Sequence, residues 1–359
     1  MVKKKLVLWI GSAFVISLIY LVVAAKPISS EFSLQTKWLV NLNDTNSQNT
    51  LDDSPSAEPI PFVLKDRYGY ISPEGELLVK KTLQRHQFVA ITPTRFTVFD
   101  PIPEIVTIDS ITNKEIITIK NPRGYPFLID EHVFLIGKDQ DSLSAVSNTG
   151  VAQWTYHVSS PITTLDCRAD KILIGTLDGT IYLLSLRGEN LFTFQPGGSR
   201  LSVIVGAVLS SDANRIALIS GIERQRFIIL EKATKTYKVQ HHQFLDSDFR
   251  RPVVVKFLQN DRYVLFEGKT NLMVFDSHKK KTYEIPVYFP ILAIEALPNK
   301  DTVFVMTGKD NEKQLIALKM PDKKLLTAPF VSKESFIFSW EDQLILGSDD
   351  VITSYVVGE

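Results

Sequence analysis

The chain has 359 residues, room for one large or two ordinary domains, with 40 basic and 40 acidic side chains and a formal net charge of zero. That balance argues against a nucleic-acid partner, because phosphate binding needs a basic surplus on some face. One cysteine, Cys167, excludes a disulfide framework and a cysteine-based zinc site.

The N-terminus reads "MVKKK" and then "LVLWIGSAFVISLIYLVVAA", an apolar run over 6–25 without a charge. As a helix this run spans about 30 Å, the hydrocarbon thickness of a bilayer. Lys3, Lys4 and Lys5 precede it and Lys26 alone directly follows it, so the positive-inside rule exports the remainder. The run is longer than a secretory signal needs, and residues 1–26 read as an uncleaved signal anchor, a transmembrane helix. The alternative is a signal cleaved after Ala25, with Val23 and Ala25 as the small residues and the rest secreted. A lipid anchor is excluded because no cysteine lies there.

Residues 27–60 read as a flexible linker. Its second half, "NLNDTNSQNTLDDSPSAEPI", is too polar to bury a face. The preceding "EFSLQTKWLV" receives no firm assignment.

From residue 61 to 359 the helical period nearly disappears. Short runs of Val, Ile, Leu, Phe, Thr and Tyr alternate with Gly, Asp, Asn, Pro and Lys clusters, which is the pattern of strands and turns. One signature recurs, an apolar run closed by glycine, at Gly137, Gly175, Gly221, Gly268, Gly308 and Gly347, spaced by 38, 46, 47, 40 and 39 residues. "FTVFD", ending at Asp100, is an earlier copy without the glycine, making seven. Each copy holds an apolar run before the marker (strand a), the marker (b), a third run such as "TIYLLSL" (c) and a shorter fourth such as "NLFTF" (d). Four short strands every 40–45 residues make a propeller blade. The expectation is an all-β fold: a seven-bladed β-propeller of four-stranded antiparallel blades behind one transmembrane helix. The last copy lacks strand d. An open propeller leaves unpaired backbone, so residues 76–82, "ELLVKKT", are expected to pair beside "ITSYVVGE" and close the ring, with "RYGYISPEG" forming a hairpin with them.

Over 142–198 the chain resembles the pyrroloquinoline-quinone-type propeller repeat, through Trp154, Gly175, Asp178, Gly179, Tyr182 and Gly188. The later copies look equally like WD-repeat blades without the diagnostic dipeptide. The superfamily includes exported, non-enzymatic members such as the propeller subunit of the outer-membrane protein assembly machinery. Similarity to it implies an envelope scaffold, here with a membrane anchor in place of a lipid. The superfamily's quinone enzymes are longer, with a calcium site and commonly a vicinal cysteine pair, which one cysteine cannot supply.

No motif for chemistry stands out. His86, His132, His157, His241, His242 and His278 show no chelating spacing, and the adjacent pair His241–His242 would point to opposite sides of a strand. There is no nucleophile elbow and no phosphate loop. Asp178–Gly179 reads as a tight b–c turn, Tyr182 as packing between sheets, "PGGSR" (196–200) as a blade connection and Lys279–Lys281 as a solvated hairpin tip. No catalytic residue, cofactor or metal is expected.

The longest irregular connection is "HHQFLDSDFRRP", 241–252, with Phe244, Phe249, Arg250 and Arg251. Aromatics and arginines on a loop have the composition of an interface hot spot, although the phenylalanines could equally tuck under blade edges. Tyr288 and Phe289, in the next connection, emerge on the same face, since d–a and b–c loops share one side of the disc. These six residues are the expected protein-binding surface. The function expected is a non-catalytic, membrane-tethered scaffold for protein partners in the bacterial envelope, with the propeller in the periplasm, in envelope or outer-membrane protein assembly. The alternative is a small-ligand sensor or hydrolase-like propeller that uses the central channel.

Overall fold

The structure, a computed structural model, describes residues 17, 20, 32–44, 58–298 and 300–358. The expected transmembrane segment lies outside the described residues except for Ser17 and Tyr20, which are helical. Among the described residues no helix is long and apolar enough to cross a membrane. The chain divides into two compact units, residues 1–35 with 357–359, and residues 36–356. In the first, a Cβ added to Gly358 would stand 2.7 Å from the Ser33 hydroxyl. The second is built of eight sheets in a propeller.

The first strand is β1 (Ser33–Asn41). Blade 1 holds β2 (Ile60–Leu64), β3 (Arg67–Ile71) and β4 (Leu77–Thr82), and blade 2 holds β5 (Phe88–Ile91), β6 (Arg95–Phe99), β7 (Ile105–Ser110) and β8 (Glu115–Lys120). Blade 3 is β9 (Gly124–Ile129), β10 (His132–Gly137), β11 (Ser142–Val146) and β12 (Ala152–His157). Blade 4 is β13 (Ile162–Arg168), β14 (Lys171–Thr176), β15 (Ile181–Ser185) and β16 (Asn190–Phe194). Blade 5 is β17 (Ile204–Leu209), β18 (Arg215–Ser220), β19 (Arg226–Ala233) and β20 (Thr236–Phe244). Blade 6 is β21 (Val255–Leu258), β22 (Tyr263–Glu267), β23 (Asn271–Asp276) and β24 (Lys281–Pro286). Blade 7 is β25 (Ile291–Ala296), β26 (Thr302–Lys309), β27 (Glu312–Lys319) and β28 (Lys323–Val331). Blade 8 is β29 (Ser335–Trp340), β30 (Gln343–Ser348) and β31 (Val351–Gly358), with β1 as its fourth strand.

The cores lie between blades. Leu265 and Val274 of blade 6 pack with Ile294 and Val305 of blade 7, and Phe227 of blade 5 stacks on Phe266 of blade 6 at 4.0 Å. Strands b and c are therefore covered on both faces, which is why they read as continuous apolar runs, whereas a d strand such as β16 alternates. At the seam, Ile60, Phe62 and Leu64 of blade 1 share a cluster with Ile345 and Ile352 of blade 8.

Two expectations are corrected. There are eight blades, not seven, because the hairpin of residues 67–82 belongs to a blade of its own. Blade 1 shows three strands among the described residues, and β2, like β6, lacks the glycine that closes the b strands of blades 3 to 8, and β1, in the stretch before it, does not repeat its pattern. Its strands are b, c and d: Leu83 N donates to Asp66 O (2.6 Å) at the end of β4 as Val287 N donates to Thr270 O (3.0 Å) at the end of β24. The second correction concerns closure. Residues 77–82 pair with β3, and the strand beside β31 is β1, inside the stretch read as linker. Leu42 N donates to Asp350 O (2.7 Å), which sets the end of β1 against the start of β31. The two strands are thus antiparallel.

Candidate protein-binding face

Strands b and d run opposite to a and c, so the b–c turns and d–a connections emerge on one face, and the a–b and c–d turns on the other. The b–c turn at 176–180 shows how the first face is built. Asp178 accepts from Thr176 Oγ1 (2.5 Å), Ser159 Oγ (2.9 Å) and Thr180 N (3.1 Å), and Gly179 has φ +88°. Burial opposes ionisation of Asp178, but these hydrogen bonds outweigh it and hold its pKa below the usual range. Asp178 and Gly179 are parts of a turn, as expected, and Tyr182 packs edge-on against Tyr156 of the preceding blade at 5.7 Å.

The connection between blades 5 and 6 is shorter than expected, because β20 runs through His241 to Phe244 and leaves only 245–254 as loop. Phe244 is 48% exposed and lies opposite Arg226 in the ladder. Its ring carries two guanidinium groups, Arg224 at 4.7 Å and Arg226 at 5.6 Å from the centroid. Arg226 is fixed from behind by the carbonyl of Pro196 (2.6 Å), and the buried Gln225 amide donates to Phe249 O (2.7 Å) and Gly221 O (3.0 Å). Arg224 and Arg226 were missed in the sequence because the register that faces them to Phe244 is not written in it. The exposed Leu201 and Arg200 border the same connections.

The other predicted residues divide. Phe249 packs partly on the core between blades 5 and 6, with the Arg251 guanidinium 4.8 Å above its ring. Arg251 makes two hydrogen bonds to Glu267, 2.6 and 2.9 Å, whose side chain is only 4% exposed, and Glu267 also accepts from Ile291 N of blade 7 (3.1 Å). Both residues are therefore engaged in the fold. Arg250 and Tyr288 are exposed, Tyr288 at 85%, and Phe289 is half-buried. Around the same face, Ile102, Leu177, Leu201, Phe244, Tyr288 and Val331 are exposed, whereas at the opposite face the large exposed apolar residues among those described are fewer, Val151 in a turn and Ile116 and Leu191 at the starts of d strands. A cleft of about 650 Å³ opens between the b–c turns of blades 2 and 3, beside Ile102, Arg123 and Lys138.

Carboxylates on the innermost strands are held in ties between blades. Glu295 accepts from Lys256 Nζ (2.6 Å) and Ser339 Oγ (2.9 Å), and Asp166 from Leu209 N (2.7 Å) and Cys167 N (3.0 Å). Among the described residues no group of three or more His, Cys, Asp or Glu side chains could hold a metal. Cys167 is buried, and burial pushes its thiol up to about 11, where it is a poor nucleophile. His241 lies 4.3 Å from the Phe275 ring and is lowered first by burial and then by His242, while His242 points to solvent.

Fold and site together define a propeller with one decorated face. A family model described as beta-propeller protein matches residues 1–359, and the chain belongs to that family. The expected β-propeller fold is the class that this match shows. An uncharacterized protein of Treponema pallidum (strain Nichols) is 25% identical over 298 residues, 80% of this chain and 76% of that protein. BamB from Moraxella catarrhalis matches with a TM-score of 0.63 at 14% identity, over 90% of this chain and 100% of that one. A chain of the mitotic checkpoint complex matches at 0.52 and 9% identity, over 90% of this chain and 95% of its own. At these identities the two solved structures share the fold.

Proposed function

We propose that this propeller is a non-catalytic scaffold that binds protein partners through the face carrying the b–c and d–a turns, tethered by its N-terminal segment on the extracytoplasmic side of a bacterial membrane. The observation that carries the reading is the gathering of exposed apolar and arginine side chains on that face, around Phe244, Arg224 and Tyr288. Aromatic and arginine anchors dominate binding energy at protein interfaces, and a rigid ring of blades presents them without a moving part. Likeness of fold to BamB, the outer-membrane assembly propeller, supports an assembly role in the envelope.

A photoreactive amino acid placed at position 244 or 288 in cells tests the face, with position 151 as the control on the opposite side. Partner adducts are expected at 244 and 288 and not at 151. Equal adducts on both faces, or none at 244 and 288, overturn the assignment. An alkaline phosphatase fusion after residue 44 tests the side of the membrane. Activity is expected, and an inactive fusion that is stably made rejects it.

A further inference from the structure

The face opposite the proposed partner site carries an uneven charge. The c–d turns of blades 5, 6 and 7, spanning 231–238, 276–284 and 319–324, hold nine lysines: 232, 235, 238, 279, 280, 281, 319, 323 and 324. All nine are exposed, and among the described residues none is in an ion pair. Four carboxylates share these segments, and one of them, Asp276, is buried against Arg262 (3.1 Å) and its own turn's N–H groups. The c–d turns of blades 1 to 4 differ, with Glu74, Glu76, Glu115 and Glu189 against Lys114 and Arg187. A chain of zero net charge has therefore concentrated lysine on three adjacent turns.

Each turn reaches strand d of the blade before it. Thr282 Oγ1 donates to Gln243 Oε1 of β20 (2.7 Å), and Lys324 Nζ donates to Pro286 O of β24 (3.0 Å). Nearer the axis, the a–b turns carry acids on the same face. Asp212 accepts from Ser210 Oγ (2.7 Å) and Asp261 from Ser211 N of blade 5 (2.9 Å), while Asp301, Glu341 and Asp342 outnumber Lys300 in the next two of these turns. The basic surface is thus a rim sector over blades 5 to 7, next to blade 8. Strand β1, the fourth of blade 8, runs antiparallel to β31 and therefore toward the partner face.

We propose that this lysine rim docks on the anionic headgroups of the lipid bilayer. The occupant is chosen on two grounds: the sign of the charge, and the uncharged run of 6–25 that precedes β1 in the sequence, long enough as a helix to span a bilayer. Lysines within a Debye length of an anionic surface each add attraction, whereas binding to neutral lipid gains nothing from them. Docking would hold the opposite face, with Phe244 and Tyr288, away from the membrane. The choice of a bilayer rests on the proposed tether, and the test separates the two.

The full chain is placed in nanodiscs of phosphatidylcholine alone and of phosphatidylcholine with phosphatidylglycerol, and lysine acylation is read residue by residue by mass spectrometry. Co-elution with neutral discs reports the tether. The expected result is that Lys279, Lys280 and Lys281 are acylated about tenfold more slowly in anionic discs than in neutral ones, with the difference lost at high salt. Lys114, on blade 2, should not change. The triple variant K279E/K280E/K281E should fold, co-elute, and lose the slowing at Lys235 and Lys323. Co-elution with both discs and equal acylation rates would overturn the docking surface and leave the tether standing. Co-elution with anionic discs only, with slowing at the rim, would leave the docking surface standing and remove the tether. Slowing by DNA or an acidic polypeptide, but not by phosphatidylglycerol, would overturn the lipid in favour of that polymer.

Discussion

The indole N–H of Trp38 donates to the carbonyl of Pro73 at 2.9 Å, across the seam between blade 8 and blade 1. Trp154 does the same to Leu186 of the following blade at 2.8 Å. In both places the indole covers a glycine of a c–d turn, Gly75 at φ +95° and Gly188 at φ +80°, where an added Cβ would stand 2.6 Å from the ring. One docking device thus serves an ordinary blade boundary and the closure of the ring.

Trp38→Phe keeps most of the packing and removes the hydrogen bond, so it should cost about 1 kcal/mol. Trp38→Ala also empties the site and should cost about 3–5 kcal/mol. Gly75→Ala should destabilise as well, since the ring cannot move without leaving the seam. Urea denaturation checks all three. A Trp38→Ala protein as stable as the wild type would mean that the seam does not depend on β1.

How far the sequence revealed this fold turns on the same residues. Trp154 stands in a repeat with its glycine, and the class of fold followed from it. Trp38 carries the same signal in "QTKWLVN", but it sits before a polar stretch, far in sequence from the β31 strand it joins, so no neighbouring run marks it as part of a blade. The blade count failed for a related reason: β2 reads "IPFVL" and ends in Lys65–Asp66 rather than glycine. At the candidate face, Phe244 and Tyr288 were legible as aromatics near turns. The roles of Arg226 and Arg251 were not, since one depends on hairpin register and the other on a buried carboxylate distant in sequence.

The acid limb of the stability curve should be steep. Asp212 is held at about 2 by hydrogen bonds from Ser210 and Asn214, and Asp350 is lowered by its hydrogen bond to Lys65. Asp178 and Asp276 are lowered too, because their hydrogen bonds outweigh the burial that opposes ionisation. A carboxylate depressed in the folded state gives stability that is full above its unfolded pKa of about 3.9 and is lost as pH falls through the folded value. Asp109, raised by burial, works in the opposite direction and offsets a part. The melting temperature should hold between pH 7 and 5 and fall between about pH 4 and 2. Asp212→Asn should flatten that fall, and a steeper fall in the variant would refute the assignment.

Arg251 and Arg250 should behave differently although they are adjacent. Arg251→Ala strands the buried Glu267 carboxylate and should cost about 3 kcal/mol, whereas Arg250→Ala should lie within about 0.5 kcal/mol of the wild type. Arg251→Ala with Glu267→Gln should recover much of the loss, since no buried charge remains. Thermal unfolding of the three proteins decides the point. An equal loss from both single variants would show that the ion pair is not what Arg251 contributes.

Phe244 is half in solvent, so its replacement tests recognition apart from folding. Phe244→Ala with Arg224→Ala should leave the melting temperature within a few degrees of the wild type while abolishing the adduct captured from position 288. Loss of the adduct together with loss of folding would assign these residues to the blade and not to a partner.

Cys167 offers a readout of integrity for every variant above. It lies 6% exposed on β13, and its thiol is pushed up to about 11, so the thiolate that reacts with disulfide reagents is scarce at neutral pH. Native protein should therefore react with an aromatic disulfide only as fast as it opens, and in urea the reaction should complete within the mixing time. Variants that damage the seam, such as Trp38→Ala, should accelerate the native reaction in proportion to the open population. Surface variants such as Arg250→Ala should not. If wild-type Cys167 reacts at once without denaturant, blades 3 and 4 do not enclose it as described.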